Sequence, residues 1–265
     1  MSARLLRPLI VALGLTLVWQ SIVWVTEAPA FILPGPLRVI ATLIEQWRLL
    51  LDHAATTLLE ILLGLLLGVL LGLLSALSLA TWGGLRRWLM PVLVISQAIP
   101  VFALAPLLML WLGYGMASKI AMATLIIYFP VTAACFDGLR QTPSGYLKLA
   151  RTLGADRSAL LLQVQLPAAL PAFGSGLRVA ASVAPIGAVV GEWVGSSSGL
   201  GYLMLNANAR MQVDLVFAAL LILALIAVTL YFLIDALARR LTPWQADTLN
   251  QPGSGSGRNR TRGLS

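Results

Sequence analysis

The chain has 265 residues, of which 59% are apolar and only 11% charged, and its mean hydropathy is +0.89. A soluble globule carries about 45–50% apolar and about 25% charged residues, so this chain has too little polar surface to cover itself in water. A soluble enzyme, a disordered protein and a secreted disulfide scaffold are excluded. The formal net charge of +8 reads as a record of membrane orientation rather than of nucleic-acid binding. Cys135 and His53 are alone of their kinds, which leaves no internal disulfide and no Cys/His metal cluster to expect.

A transmembrane helix needs roughly 20 mostly apolar residues, and six runs qualify: about Pro8–Thr26, Thr56–Ala80, Trp88–Leu112, Lys119–Phe136, Leu170–Trp193 and Leu215–Leu237. The expected fold is therefore all-α and polytopic. Ala28-Pro29-Ala30 after the first run has the look of a signal-peptidase site, but the apolar stretch exceeds the 7–15 residues of a signal h-region and reads as a retained helix. The organisation expected is a first helix and outer segment over 1–55, a core over 56–240 with a cytoplasmic hairpin at 140–167, and a disordered Gly/Ser/Arg-rich tail over 241–265.

Lys and Arg fix the orientation. With the N-terminus inside, Arg4, Arg7, Arg86, Arg87, Arg140, Lys148, Arg151, Arg157, Arg178, Arg239, Arg240, Arg258, Arg260 and Arg262 fall inside, and only Arg38, Arg48, Lys119 and Arg210 outside. Both termini are expected in the cytoplasm. The outer segment Glu27–Ala55 contains Leu37, Ile40, Leu43, Ile44 and Trp47 at helical spacing, the pattern of an amphipathic helix at the outer interface.

Within the spans, Gly64, Gly68 and Gly72 recur every four residues and Ala76 continues the row, so helix backbones can approach closely on that face. This reads as packing inside one subunit, with a subunit or gating interface as the alternative. The third span holds Pro91, Pro100 and Pro106, with Ser96 and Gln97 just before Pro100. Proline frees carbonyls that need partners in hydrocarbon, so the segment is either a kinked buried helix or a pore lining. The fifth span carries Gly174, Gly176, Pro185, Gly187 and Gly191 and is expected to be broken in the same way. Glu192 at its outer end, and Asp137 and Asp235 at inner ends, read as charges reaching for the interface. Glu192 is also a pathway candidate alongside Ser96, Gln97, Pro100 and Pro185. Glu60 lies one turn inside the second span and is either functional or paired with a neighbouring helix.

The segment Tyr146–Pro167 is the specific one. Tyr146, Leu147, Ala150 and Leu153 form one short amphipathic helix that stops at Gly154. Asp156 caps a second, with Leu160, Leu161 and Val164 on one face, closed by Pro167 and Pro171. An apolar and basic helical hairpin on the cytoplasmic side is a docking element for a soluble partner.

Leu149-Ala-Arg-Thr-Leu-Gly154-Ala155, followed by Leu166-Pro167-Ala-Ala-Leu-Pro171, resembles the "EAA" loop of ABC importer permeases, the signature of the binding-protein-dependent transport family. Lys148 stands where the motif has its glutamate, so the contact made by that acid is not carried over. Ile99–Gly115 and Gly195–Gly201 are similar to the nitrate/sulfonate/taurine branch. Gly191–Ser196 with Asn206–Met211 looks closest to permeases for pyrimidine precursors of thiamine.

The resemblance implies a type I importer permease core. It further implies a second permease copy forming a homodimer, two ATP-binding subunits inside and a periplasmic solute-binding protein outside. Lys148, Ala150, Gly154, Ala155, Asp156, Leu160, Leu161 and Pro167 are the residues it places at the contact with the ATPase. No G-x-x-x-x-G-K-[ST] occurs, so ATP hydrolysis falls to a partner and no cofactor is expected here. A membrane enzyme would need a nucleophile–base or metal constellation, and one histidine and few acids do not supply it. The low charge of the route favours a neutral or aromatic solute over nitrate or sulfonate, and the resemblance implies a hydroxymethylpyrimidine-type thiamine precursor first, with alkanesulfonate, taurine or nitrate as the alternative.

Overall fold

The computed structural model describes residues 3–244, with side chains from residue 10 onward. The expected tail beyond residue 244 lies outside the described residues. The elements are α1 (Ala3–Thr26), α2 (Pro36–Glu45), α3 (Trp47–Thr81), α4 (Gly83–Ala98), α5 (Val101–Leu112), α6 (Met116–Arg140), α7 (Ser144–Thr152), α8 (Arg157–Ala159), a π-helical turn (Leu160–Gln165), α9 (Leu166–Trp193), α10 (Leu200–Ala209) and α11 (Val213–Leu241). Among the described residues there is no strand.

Among the described residues, four stretches are long and apolar enough to cross a membrane: α3, α6, the run Arg157–Trp193 and α11. The α4–α5 pair makes a fifth span only as a broken one, bent by 103° at Ile99 and Pro100. This is sharper than the kinked helix expected over Trp88–Leu112. Pro100 cannot donate a backbone bond, and the two residues before α5 are extended, so the first helix stops and a second starts at a new angle. With 24 residues, α1 has roughly the length that a span needs. Its clearest tie to the bundle is Trp19, stacked on Phe217 of α11 with ring centroids 5.4 Å apart.

The start of the second span differs from the sequence reading. The second span begins at Trp47, not Thr56, because the outer segment simply continues the helical ladder into it. With 35 residues, α3 is about 52 Å long and outreaches the hydrocarbon core. Its predecessor α2 is the expected amphipathic helix. Val39 and Thr42 are buried against the bundle, while Leu37, Ile40, Ile44 and Trp47 are exposed. Arg38 Nε reaches Asp214 Oδ2 of α11 at 3.2 Å, and the Thr42 hydroxyl donates to the same oxygen at 3.4 Å.

The fifth span is not broken. Pro171 and Pro185 are both accommodated inside one continuous α9. Its glycines serve close approach instead: a Cβ at Gly176 would lie 2.6 Å from Ala134 Cβ, and one at Gly187 2.7 Å from Ala123 Cα. The α3 row does the same on the other side of α6. A Cβ at Gly64 would lie 2.5 Å from Ala123 Cβ, and one at Gly68 2.6 Å from Ile127 Cγ2. The helices α3, α6 and α9 therefore form the centre of the bundle, around Ile61, Ala123, Ile127, Val131, Ala180 and Ala184. Between α9 and α11, Arg178 Nε donates to Asp235 Oδ1 at 2.6 Å, and Arg239 Nε bonds the other oxygen at 2.9 Å. Asp235 is thus held between two arginines rather than reaching alone for water.

Candidate functional site: the hairpin between α6 and α9

The hairpin follows from its sequence step by step. α7 starts after Pro143 and ends at Leu153. Gly154 then adopts φ +86, its N–H donates to Arg151 O at 3.0 Å, and the Ala155 N–H donates to Ala150 O at 3.0 Å. These two bonds are the Schellman closure, which needs a left-handed residue at that position. Asp156 Oδ1 then accepts the Ala159 N–H at 2.7 Å, and Oδ2 accepts the Ser158 hydroxyl at 2.8 Å. The backbone N–H of Ala159, with the Ser158 hydroxyl second, holds the Asp156 carboxyl below the usual carboxylate range.

Beyond the cap the chain departs from expectation. The second short helix does not close at Pro167. It widens into the π-helical turn Leu160–Gln165 and runs without interruption through Pro167 into α9. A π turn absorbs one extra residue per ladder, and it sits where Pro167 removes a donor. The second arm of the hairpin and the fifth span are consequently one continuous helical run.

The predicted contact residues fall into three groups. Lys148, Gly154 and Asp156 are exposed, and Ala150, Ala155, Leu161 and Pro167 are half-buried. Leu160 is buried, and Leu161 packs on the chain's own core near Cys135, Phe136 and Leu139. The apolar surface left open belongs instead to α7: Tyr146, Leu149 and Leu153 are 62%, 60% and 78% exposed. They line a groove with Ala150 and Val164.

The pathway candidates do not come together. Ser96, Gln97 and Pro100 are exposed at the α4–α5 break, with the Ser96 hydroxyl donating to Leu93 O at 2.7 Å. Pro185 and Glu192 are buried inside the bundle. Glu192 does not reach for the interface: it is 1% exposed, and its carboxylate accepts the Thr57 hydroxyl at 2.6 Å. Glu60 is fully buried, and Lys119 Nζ lies 3.1 Å from its Oε1. Lys119, counted above as an outer basic residue, is therefore a partner of the interior. The role of Thr57 was not legible, since a lone threonine in an apolar run gives no signal.

Long apolar helices with a polar hairpin between two of them define a multi-pass membrane protein. The chain belongs to the family described as the binding-protein-dependent transport system inner membrane component, whose profile matches residues 64–246. It is similar to a probable ABC transporter permease protein of Haemophilus influenzae, 62% identical over 91% of this chain and 98% of that one. It is 36% identical to the formylaminopyrimidine transport permease protein ThiX of Halalkalibacterium halodurans, over 92% and 98% of the two chains. It is 42% identical to the riboflavin transport system permease protein RibX of Chloroflexus aurantiacus, over 86% of each. Among solved structures, the MetNI methionine ABC transporter shares the fold, with a TM-score of 0.66 at 20% identity, covering 75% of this chain and 98% of that one. The protein is the permease component of an ABC importer and a multi-pass inner-membrane protein.

Proposed function

We propose that this permease works as a homodimer with both termini in the cytoplasm, bound inside by two ATP-binding subunits and served outside by a periplasmic solute-binding protein. The observation that carries the reading is the hairpin. A Schellman-closed helix presents Tyr146, Leu149 and Leu153 to solvent and is joined through the capped turn at Gly154–Asp156 and the π turn to α9. Three exposed apolar side chains on a short polar helix favour a protein partner. A push on α7 is passed directly into a span, which is the mechanical requirement of alternating access. In this reading α7, more than Leu160 and Leu161, makes the contact with the ATPase, while Gly154 and Asp156 set its angle. The break at Ser96, Gln97 and Pro100 borders the solute route.

The solute favoured is a planar nitrogen heterocycle. The sequence resemblance points to thiamine-precursor pyrimidines, and the relative named for formylaminopyrimidine transport supports that class. The relative named for riboflavin transport supports a second reading, a flavin-type ligand, within the same chemistry.

Gly154→Asp tests the docking. A side chain in the left-handed conformation costs roughly 1 kcal/mol or more, and open space around Gly154 means that the effect is on backbone direction rather than on packing. The variant should insert normally and lose copurification of the ATPase or solute-linked ATP hydrolysis. Normal assembly and transport by Gly154→Asp would remove the hairpin as the coupling element.

A further inference from the structure

At the outer end of α9 lies a polar network that the coupling reading does not use. Glu192 Oε1 accepts the Thr57 hydroxyl at 2.6 Å, and Oε2 accepts the Gly201 N–H. Thr57 Oγ1 in turn accepts the Leu200 N–H at 2.7 Å, and His53 Nδ1 accepts the Gly199 N–H at 3.0 Å. Three successive donors at the start of α10 are thus taken by side chains of α3 and α9. The positive end of a helix dipole faces a buried carboxylate. Glycine is required in return. Gly199 has φ +107, and a Cβ there would land on the Glu192 carboxylate, while one at Gly201 would lie 2.7 Å from Oε2. Below this layer Lys119 joins Glu60, so α3, α6, α9 and α10 are tied at one level.

The network also governs a loop. Residues 194–199 connect α9 to α10, and the Ser196 hydroxyl bonds both the O and the N–H of Ser198, closing the loop on itself. Its other end rests on the broken span. Gly195 has φ +142, and a Cβ there would lie 3.0 Å from Tyr114 Cδ1 and overlap Met109 Cε. Met109, near the end of α5, is only 7% exposed beneath this loop.

We propose that Glu192 is a positioning residue for transport: anchored on Thr57 and the start of α10, it holds the loop 194–199 on Met109 and Tyr114 and so fixes the outer end of the bent α4–α5 span. A charge that would be costly in hydrocarbon is used because it accepts two donors at once and a neutral side chain of the same shape does not. The idea rests on the transport reading for its meaning, but not for its test.

The test uses the assembled permease–ATPase complex with Met109→Cys added and Cys135 retained, labelled from the outer face with a water-soluble maleimide. Sites are mapped by mass spectrometry. Labelling at position 109 should be slow. Glu192→Gln and Thr57→Val should each raise its rate on the order of tenfold, the scale of one lost hydrogen bond to a charged group. Thr57→Ser, which keeps the hydroxyl, should not. Cys135, 1% exposed near the inner end, should stay unlabelled throughout. An unchanged rate at position 109 would overturn the proposal. So would simultaneous labelling of Cys135, because Glu192 would then only hold the fold together. Since labelling needs no solute, a failure of the coupling reading would show in ATPase binding and leave these rates as they are.

Discussion

Lys119 Nζ and Glu60 Oε1 lie 3.1 Å apart on α6 and α3, with the two side chains 6% and 0% exposed. Each is an expensive residue in a membrane, and each accounts for the other. Glu192 lies within electrostatic reach of the same lysine. Removing one partner of a buried pair typically costs about 3–5 kcal/mol, because the other charge is left uncompensated. Lys119→Met should therefore lower the unfolding midpoint of the solubilised protein strongly. Adding Glu60→Gln to Lys119→Met should recover part of that loss. A Lys119→Met protein as stable as the parent would show that the pair is not needed for the fold.

Close approach of α3 to α6 gives a second expectation. A Cβ at Gly68 would lie 2.6 Å from Ile127 Cγ2, and Ile127 is fully buried at the bundle centre. Gly68→Ala should cost about 1–3 kcal/mol, as overpacking does. Trimming the opposing side chain in Gly68→Ala/Ile127→Ala should return some of it, although Ile127→Ala alone is destabilising. Additive losses in thermal unfolding would mean that the two positions do not meet.

The Asp156 cap makes hairpin order depend on pH. Because its carboxyl is held below its ordinary value, the cap is fully formed above the unfolded-state value and is lost as pH falls through the folded one. Protection of the Ala159 amide, its exchange rate relative to the intrinsic rate at each pH, should be constant near neutrality and fall only under acid conditions. In Asp156→Asn that acid-induced fall should vanish, since that cap does not titrate. Acid-independent protection in the parent protein would contradict the geometry.

Much of this architecture is written in periodicity and punctuation. Helix content, the α2 stripe, the stop at Gly154 and the cap at Asp156 follow from local rules, because backbone conformation and nearest neighbours decide them. What was missed depends on distant parts of the chain. Glu192 looks like an interface charge until Thr57 and Gly201, far away in sequence, are brought to it. Pro171 and Pro185 look like breaks, yet their surroundings keep α9 continuous, whereas Pro100 ends a helix. Leu160 and Leu161 carry an outward-facing pattern, but the π turn aims them at the core. No local pattern distinguishes these cases.

Orientation follows from the basic residues and can be read directly. Reporter fusions at Gly83 and Pro143 should report cytoplasm, and one at Ser197, exposed in the loop between α9 and α10, should report periplasm. A periplasmic signal at Pro143 would reverse the bundle and place the hairpin out of reach of any ATPase.

The break between α4 and α5 yields the last expectation. Ser96 and Gln97 lie exposed beside a 103° bend, and the Ser96 hydroxyl already spends itself on the Leu93 carbonyl. The extended residues at the bend leave backbone groups outside any helical ladder. Such backbone persists at membrane depth only against protein or water. If water is the partner, Gln97→Cys in a Cys135→Ala background should react with a water-soluble thiol reagent. The rate should change when ATP is trapped in the complex, because α9 moves with the hairpin and α5 packs on α6 and α9. An exposed position in the middle of an apolar span provides the comparison: Leu225→Cys on α11, 66% exposed, should stay inert to the same reagent in every state. If Gln97→Cys behaves like Leu225→Cys throughout the cycle, the break is a packing feature covered by protein, and the route runs elsewhere in the dimer.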